Sequence, residues 1–138
     1  MAVGPATQSV YASGWTAFWS QTFSDANGDH TVTQVLGLYP DDGQAGKVFA
    51  TLTDGVKGCT SAVRTDEEST SKWVYAVDTA DSGALVWTAT QDAADGWACY
   101  RHARLKGKVV LQVAVCEVGN GKQAVAKIAD QFAGRVGG

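Results

Sequence analysis

The segment from Trp97 to Cys116 constrains the fold of this chain more than any other. It reads WACYRHARLKGKVVLQVAVC and carries two cysteines seventeen positions apart. If Gly107 and Lys108 form a two-residue loop, Cys99 lies directly opposite Cys116, and glycine at the first loop position suits a type II′ turn. Counting outward from the loop, this pair falls on a non-hydrogen-bonded rung, where side chains approach most closely. The segment therefore predicts a hairpin, its register, a disulfide and an oxidising compartment.

Length and charge limit what the chain can be. At 138 residues it is expected to form one domain, and a chain of this size buries roughly 65–70% of its unfolded surface without help from a cofactor or metal. The net charge of −3 and the lack of a long basic run disfavour nucleic-acid binding. No apolar run is long enough for a transmembrane helix, and the cysteines lack metal-ligand spacing. We expect a monomer with no cofactor and no metal.

The N-terminal residues show neither the charged region nor the apolar core of a signal peptide. Because a disulfide needs an oxidising compartment, we expect that an export signal or anchor has been removed and that Met1 is not the native start. Membrane contact is then expected only through that removed segment. The third cysteine, Cys59, has two open interpretations: a buried apolar thiol at a helix end, or a cysteine whose partner lies upstream of Met1.

Alternation and helical periodicity indicate the order of elements. The pattern predicts strands over residues 15–22, 31–39, 60–64, 72–79 and 85–90, before the hairpin. Apolar residues recur at helical spacing in 40–57 and again in 122–136, with Gly58 ending the first helix and Asn120 as a possible N-cap of the second. The predicted fold class is α+β: an antiparallel sheet of about five to seven strands with two helices packed on one face. The second face is expected to be open or partly covered and to offer a groove.

The polar linker between the first two strands superficially resembles the start of a calcium loop, with Asp25, Asn27 and Asp29 at alternate positions. The sixth loop position is His30 instead of glycine, and the twelfth is Leu36 instead of glutamate. A hairpin turn is therefore the favoured interpretation.

The sequence offers no recognisable catalytic constellation. His30 lies in a predicted turn and His102 in a strand, with no nucleophile at a recognised spacing and no nucleophile elbow or phosphate-binding loop. His102 alternates with Tyr100 and Arg104 onto one strand face, which favours a mixed polar and aromatic surface strip over a general base.

Five tryptophans are many for this length. Trp73 and Tyr75 alternate onto one strand face, and Trp87 lies on the next strand. If those faces coincide they form one aromatic patch. Such a patch is either part of the core or the wall of a groove for a hydrophobic or carbohydrate ligand.

Three short motifs stand out along the chain. The residues Gly-Trp-Ala-Cys-Tyr-Arg at 96–101 are followed by a valine run and by Cys116, Ile-Ala-Asp-Gln occupies 128–131, and Tyr-Ala-Ser-Gly-Trp occupies 11–15. These motifs, with the same spacing between the two cysteines, resemble the PknH-like extracellular domain, a family found as the sensor ectodomain of a mycobacterial serine/threonine kinase and in mycobacterial lipoproteins. The resemblance spans most of the chain and is specific in residues 95 to 132.

The resemblance implies a second disulfide, joining the Cys59 position to a cysteine near the domain's N-terminus, just before Met1. It also exposes two departures: Lys108 where the family often has Asn, and Gln112 where it often has Asp. The hairpin register makes Gln112 a diagonal neighbour of Arg101, so a charge-assisted pair is replaced by a weaker neutral one.

The resemblance implies a secreted or envelope-tethered sensor domain, not an enzyme, that binds an envelope-derived small molecule, glycan or lipid in a groove. The candidate ligand contacts are Trp73, Tyr75, Trp87, Arg101 and Gln112. Two alternatives stay open: a protein–protein interaction module of the cell envelope, and a hydrolase with an unrecognised site.

Overall fold

The chain folds into one seven-stranded antiparallel sheet with two helices, in a computed structural model that describes residues 14–58, 60–65, 70–92 and 95–136. The strands are β1 (Ala17–Ser24), β2 (His30–Leu38), β3 (Ser61–Thr65), β4 (Thr70–Ala80), β5 (Ala84–Gln91), β6 (Trp97–Lys106) and β7 (Val109–Val118). The helices are α1 (Asp42–Lys57) and α2 (Lys122–Arg135). The predicted α+β class is confirmed. Cys59 lies outside the described residues, so both interpretations of this thiol stay open.

The hairpin between β6 and β7 has the predicted register. Lys106 lies opposite Val109, and Cys99 lies opposite Cys116. The two cysteines form a disulfide with their Cα atoms 4.0 Å apart, a short separation of the kind expected on a non-hydrogen-bonded rung. Gly107 has a positive φ of 57°, as the first position of a type II′ turn requires.

The strand order explains the length of α1. The sheet runs β1-β2-β7-β6-β5-β4-β3, so the chain must travel from β2 to the far edge before β3 begins. Five strand spacings amount to about 24 Å. The 16 residues of α1 span about the same distance, and α1 crosses the sheet with contacts to β7, β6 and β4.

The two helices pack on opposite faces of the sheet, so the expectation that both share one face is wrong. The core cluster under α1 includes Val110 of β7, whereas the cluster under α2 includes Val113 and Val115 of the same strand. Odd and even positions of a strand point to opposite faces. A single apolar stripe shows that a helix has one buried side, but it does not say which sheet face that side covers.

The helix starts differ slightly from their predicted positions. Asp41 is the N-cap of α1, and its Oδ1 accepts a hydrogen bond of 2.8 Å from the Gln44 N–H. Gly121, and not Asn120, is the N-cap of α2, although Asn120 Oδ1 accepts from the Lys122 N–H at 3.1 Å. A side chain added at Gly121 would meet the ring of Tyr100 at 2.7 Å, and this close approach favours glycine at the cap.

The linker between β1 and β2 forms a hairpin turn, as predicted. Asp25 Oδ1 accepts hydrogen bonds from the backbone N–H groups of Asp29 and His30, and Gly28 has a φ of 73°. The carboxylate of Asp25 is therefore committed to the turn.

Candidate ligand groove

The residues predicted to bind a ligand share the sheet face that α1 covers. They are Trp73, Tyr75, Trp87, Arg101 and Gln112. Tyr75 lies opposite Ala89 and Val77 lies opposite Trp87, so the two aromatic strips do coincide in one patch. Trp87 belongs to the core cluster under α1, and Tyr75 packs against that cluster. The patch therefore meets the helix over much of its area.

Three of these residues are buried. Trp87, Arg101 and Gln112 are 0%, 4% and 1% exposed. The register gives Arg101 and Gln112 the diagonal relation that the hairpin count predicts, because Arg101 lies opposite Ala114. Burial raises the pKa of Tyr75, and the positive charge of Arg101 partly opposes that rise. That the five candidate residues contact a ligand stays a prediction.

A groove opens on the other face of the sheet, beside the C-terminal half of α2. Its volume is about 280 Å³, close to the lower end of the range for small-molecule sites. The lining residues come from β1, β2 and α2 with the residue that follows it: Trp19, Gln34, Ile128, Gln131, Phe132, Arg135 and Val136. We call this the Trp19 groove.

Trp19 is partly open to solvent because its strand lies at the edge of the sheet. Trp19 lies on β1, the edge strand of the sheet, opposite Leu36 of β2. Its ring meets the ring of Phe132 edge-to-face, with centroids 6.0 Å apart and an interplanar angle of 82°. The side chain is nevertheless 43% exposed. The two rings form an aromatic wall with one open face.

The apolar stripe of α2 serves both the core and the groove. Val125 and Ala129 are buried against the sheet, within the cluster that includes Val113. Ile128 and Phe132 are only partly buried and line the groove. The C-terminal half of the helix therefore leaves part of its apolar side available to a ligand.

The polar side chains that line the groove carry two amide groups and one positive charge. Gln34 and Gln131 contribute amides, and Arg135 contributes a guanidinium group. None of the described lining residues is acidic, and no described carboxylate lies within ion-pairing distance of Arg135. The groove thus combines an aromatic wall, two amides and one available positive charge.

A buried histidine links the sheet to α2. His102 is 8% exposed, and its Nε2 accepts a hydrogen bond from Arg104 Nε at 3.2 Å. Arg104 also pairs with Asp130 of α2. Burial lowers the pKa of His102, the Arg104 charge lowers it further, and Asp130 partly opposes this. Tyr100, His102 and Arg104 share a face as predicted, but that face lies beneath α2 and is not an open surface strip.

The second histidine lies on the surface. His30 Nδ1 lies 2.9 Å from Asp25 Oδ2, and its Nε2 lies 3.5 Å from Glu117. The hydrogen bond with Asp25 raises the pKa of His30. No described serine or cysteine nucleophile hydrogen-bonds to either histidine. The arrangement joins the β1–β2 turn to β7 electrostatically.

Within the described ranges, no three His, Cys, Asp or Glu side chains come together in a way that would hold a metal ion. Neither α1 nor α2 is long and apolar enough to cross a membrane.

Comparison with known proteins shows the origin of this architecture. The sequence model of the family described as "PknH-like extracellular domain" matches residues 1–135. The chain belongs to this family. Its fold also matches the crystal structure of the extracellular domain of PknH from Mycobacterium tuberculosis, with a TM-score of 0.82 and 27% identity over 97% of this chain and 73% of that one.

Two curated kinases extend the comparison. The serine/threonine-protein kinase PknH of Mycobacterium bovis is 29% identical over 130 residues, which is 88% of this chain and 22% of the kinase. PknH of Mycobacterium tuberculosis strain H37Rv is 28% identical, over 21% of its length. The chain spans about a fifth of these relatives. As a PknH-like extracellular domain, it is extracytoplasmic and resembles the sensor part of the kinase instead of its catalytic part.

Sequence reasoning missed the residues of the Trp19 groove. One signal was available: Trp19, Gln21 and Phe23 alternate on β1, which places aromatic rings on one face of a strand. A second signal was the apolar stripe of α2, but all of its residues were expected to pack in the core. Only the tertiary structure shows that Trp19 and Phe132 meet.

Proposed function

We propose that this PknH-like extracellular domain is a non-enzymatic sensor that binds a small envelope-derived molecule, glycan fragment or lipid fragment in the Trp19 groove. The observation that carries the proposal is the groove itself: an exposed Trp19–Phe132 wall facing two amides and a guanidinium group in a cavity of about 280 Å³.

The chemistry of the lining supports a small ligand. Aromatic rings contact sugar rings or hydrocarbon chains over a broad area, and a few polar groups then fix their orientation. Gln34 and Gln131 each offer an amide donor and acceptor. The volume suits one ring system or a short chain segment rather than a whole diacyl lipid.

The position of the groove suits a sensor. Its aromatic wall joins the edge strand β1 to α2, two elements that lie far apart in the chain. A ligand that contacts Trp19 and Phe132 together would stabilise the docking of α2 on the sheet. Ligand occupancy would then change the stability of an element that a neighbouring part of a receptor can contact.

One observation favours the second candidate, a protein-interaction module. Strand β1 reads AFWSQTFS, an edge strand without a charged residue or proline, and native proteins usually protect their edges with such residues. Trp15 just before this strand is 37% exposed, and Trp19 and Phe23 within it are 43% and 51% exposed. A protein partner that adds a strand to β1 would use all three aromatic residues, whereas a small ligand would use only Trp19.

Native mass spectrometry distinguishes these functions. The protein is incubated with a mycobacterial envelope extract, repurified and compared with its Trp19→Ala and Trp15→Ala variants. Trp15 is the matched control because it is an exposed tryptophan just before the same strand that does not line the groove. We expect a small molecule bound to the wild type and to Trp15→Ala, and lost from Trp19→Ala.

Two results would contradict the proposal. One is the absence of any bound small molecule over several extract conditions. The other is equal loss of the bound species from Trp15→Ala and Trp19→Ala, which would indicate recognition of the β1 edge as a whole. Melting curves of both variants check that the fold is intact.

A further inference from the structure

We infer that the ligand of the Trp19 groove is a small, freely diffusing organic anion, with an apolar ring or short chain against Trp19 and a carboxylate or phosphate group on Arg135. This inference rests on the proposed function of the groove and adds the chemical class of the ligand.

The first argument is the charge of the lining. Arg135 is the one cation among the described lining residues, and no acidic side chain accompanies it there. Its guanidinium group has no ion-pair partner among the described residues. The planar fork of arginine matches carboxylate and phosphate oxygens in a bidentate arrangement. A cation in an uncharged lining favours an anion, although the chain as a whole carries a charge of −3.

The second argument concerns the end of α2. The C-terminus of a helix carries a partial negative charge that would repel an anion. Here Lys106 Nζ donates hydrogen bonds to the carbonyl oxygens of Ala133 and Val136, at 2.7 and 2.8 Å. The ammonium group of Lys106 thus neutralises the helix end beside Arg135.

The third argument concerns Asp130, which immediately precedes the lining residue Gln131. Its carboxylate pairs with Arg104 of β6 and does not line the groove. The carboxylate of Asp130 is therefore already neutralised by Arg104. The net charge of the side chains that line the groove stays positive because of Arg135.

The fourth argument is size. Trp19 and Phe132 meet at 6.0 Å between centroids, and the cavity of about 280 Å³ accommodates a two-ring or short-chain body. A diacyl lipid anchored in a bilayer exceeds that space. The geometry therefore favours a free acid or a phosphomonoester over a lipid headgroup.

Two isosteric probes test the inference by calorimetric titration. 2-Naphthoate carries the anionic group on a two-ring body, and 2-naphthamide presents the same body without the charge. We expect the wild type to bind 2-naphthoate about tenfold more tightly than 2-naphthamide, since a hydrogen bond to a charged partner contributes about that much. Arg135→Gln should remove this difference, and Arg135→Lys should restore part of it.

Lys127→Gln is the matched control, because Lys127 is an exposed cation on the same helix that does not line the groove. It should leave both affinities within about twofold. Raising the salt concentration should weaken 2-naphthoate binding and leave 2-naphthamide binding unchanged. Circular dichroism melts of each variant verify that α2 is folded.

The outcomes separate the inference from the proposed function. Equal affinities for the two probes, both lowered by Trp19→Ala, would overturn the anion preference while leaving the groove as a binding site. Probe binding that Trp19→Ala does not change would overturn both. Arg135-dependent binding to phosphatidylglycerol vesicles without binding of free 2-naphthoate would overturn the choice of a freely diffusing ligand.

Discussion

His102 and His30 respond to pH in opposite directions because their environments differ. Burial beneath α2 and the charge of Arg104 lower the pKa of His102, so the unfolded chain binds this proton more readily than the folded protein. Stability from His102 is therefore present above the unfolded pKa of about 6.5 and is lost as the pH falls below it. The Asp25 hydrogen bond raises the pKa of His30. Its stabilisation is present below the unfolded pKa and is lost as the pH rises through the folded pKa.

Replacing each histidine by glutamine should separate these effects. His102→Gln keeps an acceptor for Arg104 but does not titrate, so its Tm should fall less than that of the wild type between about pH 7.5 and about pH 5. His30→Gln should steepen the same fall. Thermal melts across this range provide the measurement. A parallel shift of both variants at every pH would show that neither histidine contributes to the pH dependence.

At the scale of elements, much of the structure follows from sequence pattern alone. The period of two in the strands and the stripes at helical spacing locate every strand and both helices, because the side that meets the core must be apolar. The face that each helix covers does not follow from its own stripe. A signal lay elsewhere: residues 109–115 read VVLQVAV, apolar at every position but Gln112, and a near-continuous apolar run is typical of a strand covered on both faces. All seven residues are indeed buried.

The N-cap of α1 is open to a direct test. Asp41 accepts from the Gln44 N–H at 2.8 Å, so Asp41→Ala should lower the free energy of unfolding by about 1 kcal/mol. Asp41→Asn is the control, because asparagine caps helices as well as aspartate does and should cost much less. Urea unfolding should show a lower midpoint with an unchanged m-value. Equal destabilisation by both variants would indicate that charge, and not the cap hydrogen bond, matters.

At the scale of the whole molecule, the hairpin of β6 and β7 holds the fold together. Both helices contact these two strands, α1 from one side and α2 from the other. The sequence specifies the hairpin register because Cys99, Gly107 and Cys116 fix it locally. The groove could not be derived in this way, because Trp19 and Arg135 lie 116 positions apart in the chain and meet only once α2 has packed beside β1.

The disulfide should therefore stabilise the domain as one cooperative unit. Removing it with the double replacement Cys99→Ser and Cys116→Ser should cost about 3 kcal/mol in the chain-entropy account, which corresponds to a fall in Tm of roughly 10 °C for a domain of this size. Because both helices pack on β6 and β7, far-UV dichroism and tryptophan fluorescence should shift together in a single transition.

The mass of the unreduced wild type should increase on reduction by two hydrogen atoms. If the mass is unchanged and all three cysteines react with an alkylating agent before reduction, the bridge is absent in solution. If the bridge is present in the wild type but the dichroism and fluorescence transitions of the double variant occur at different temperatures, α1 or α2 is stable without the central hairpin.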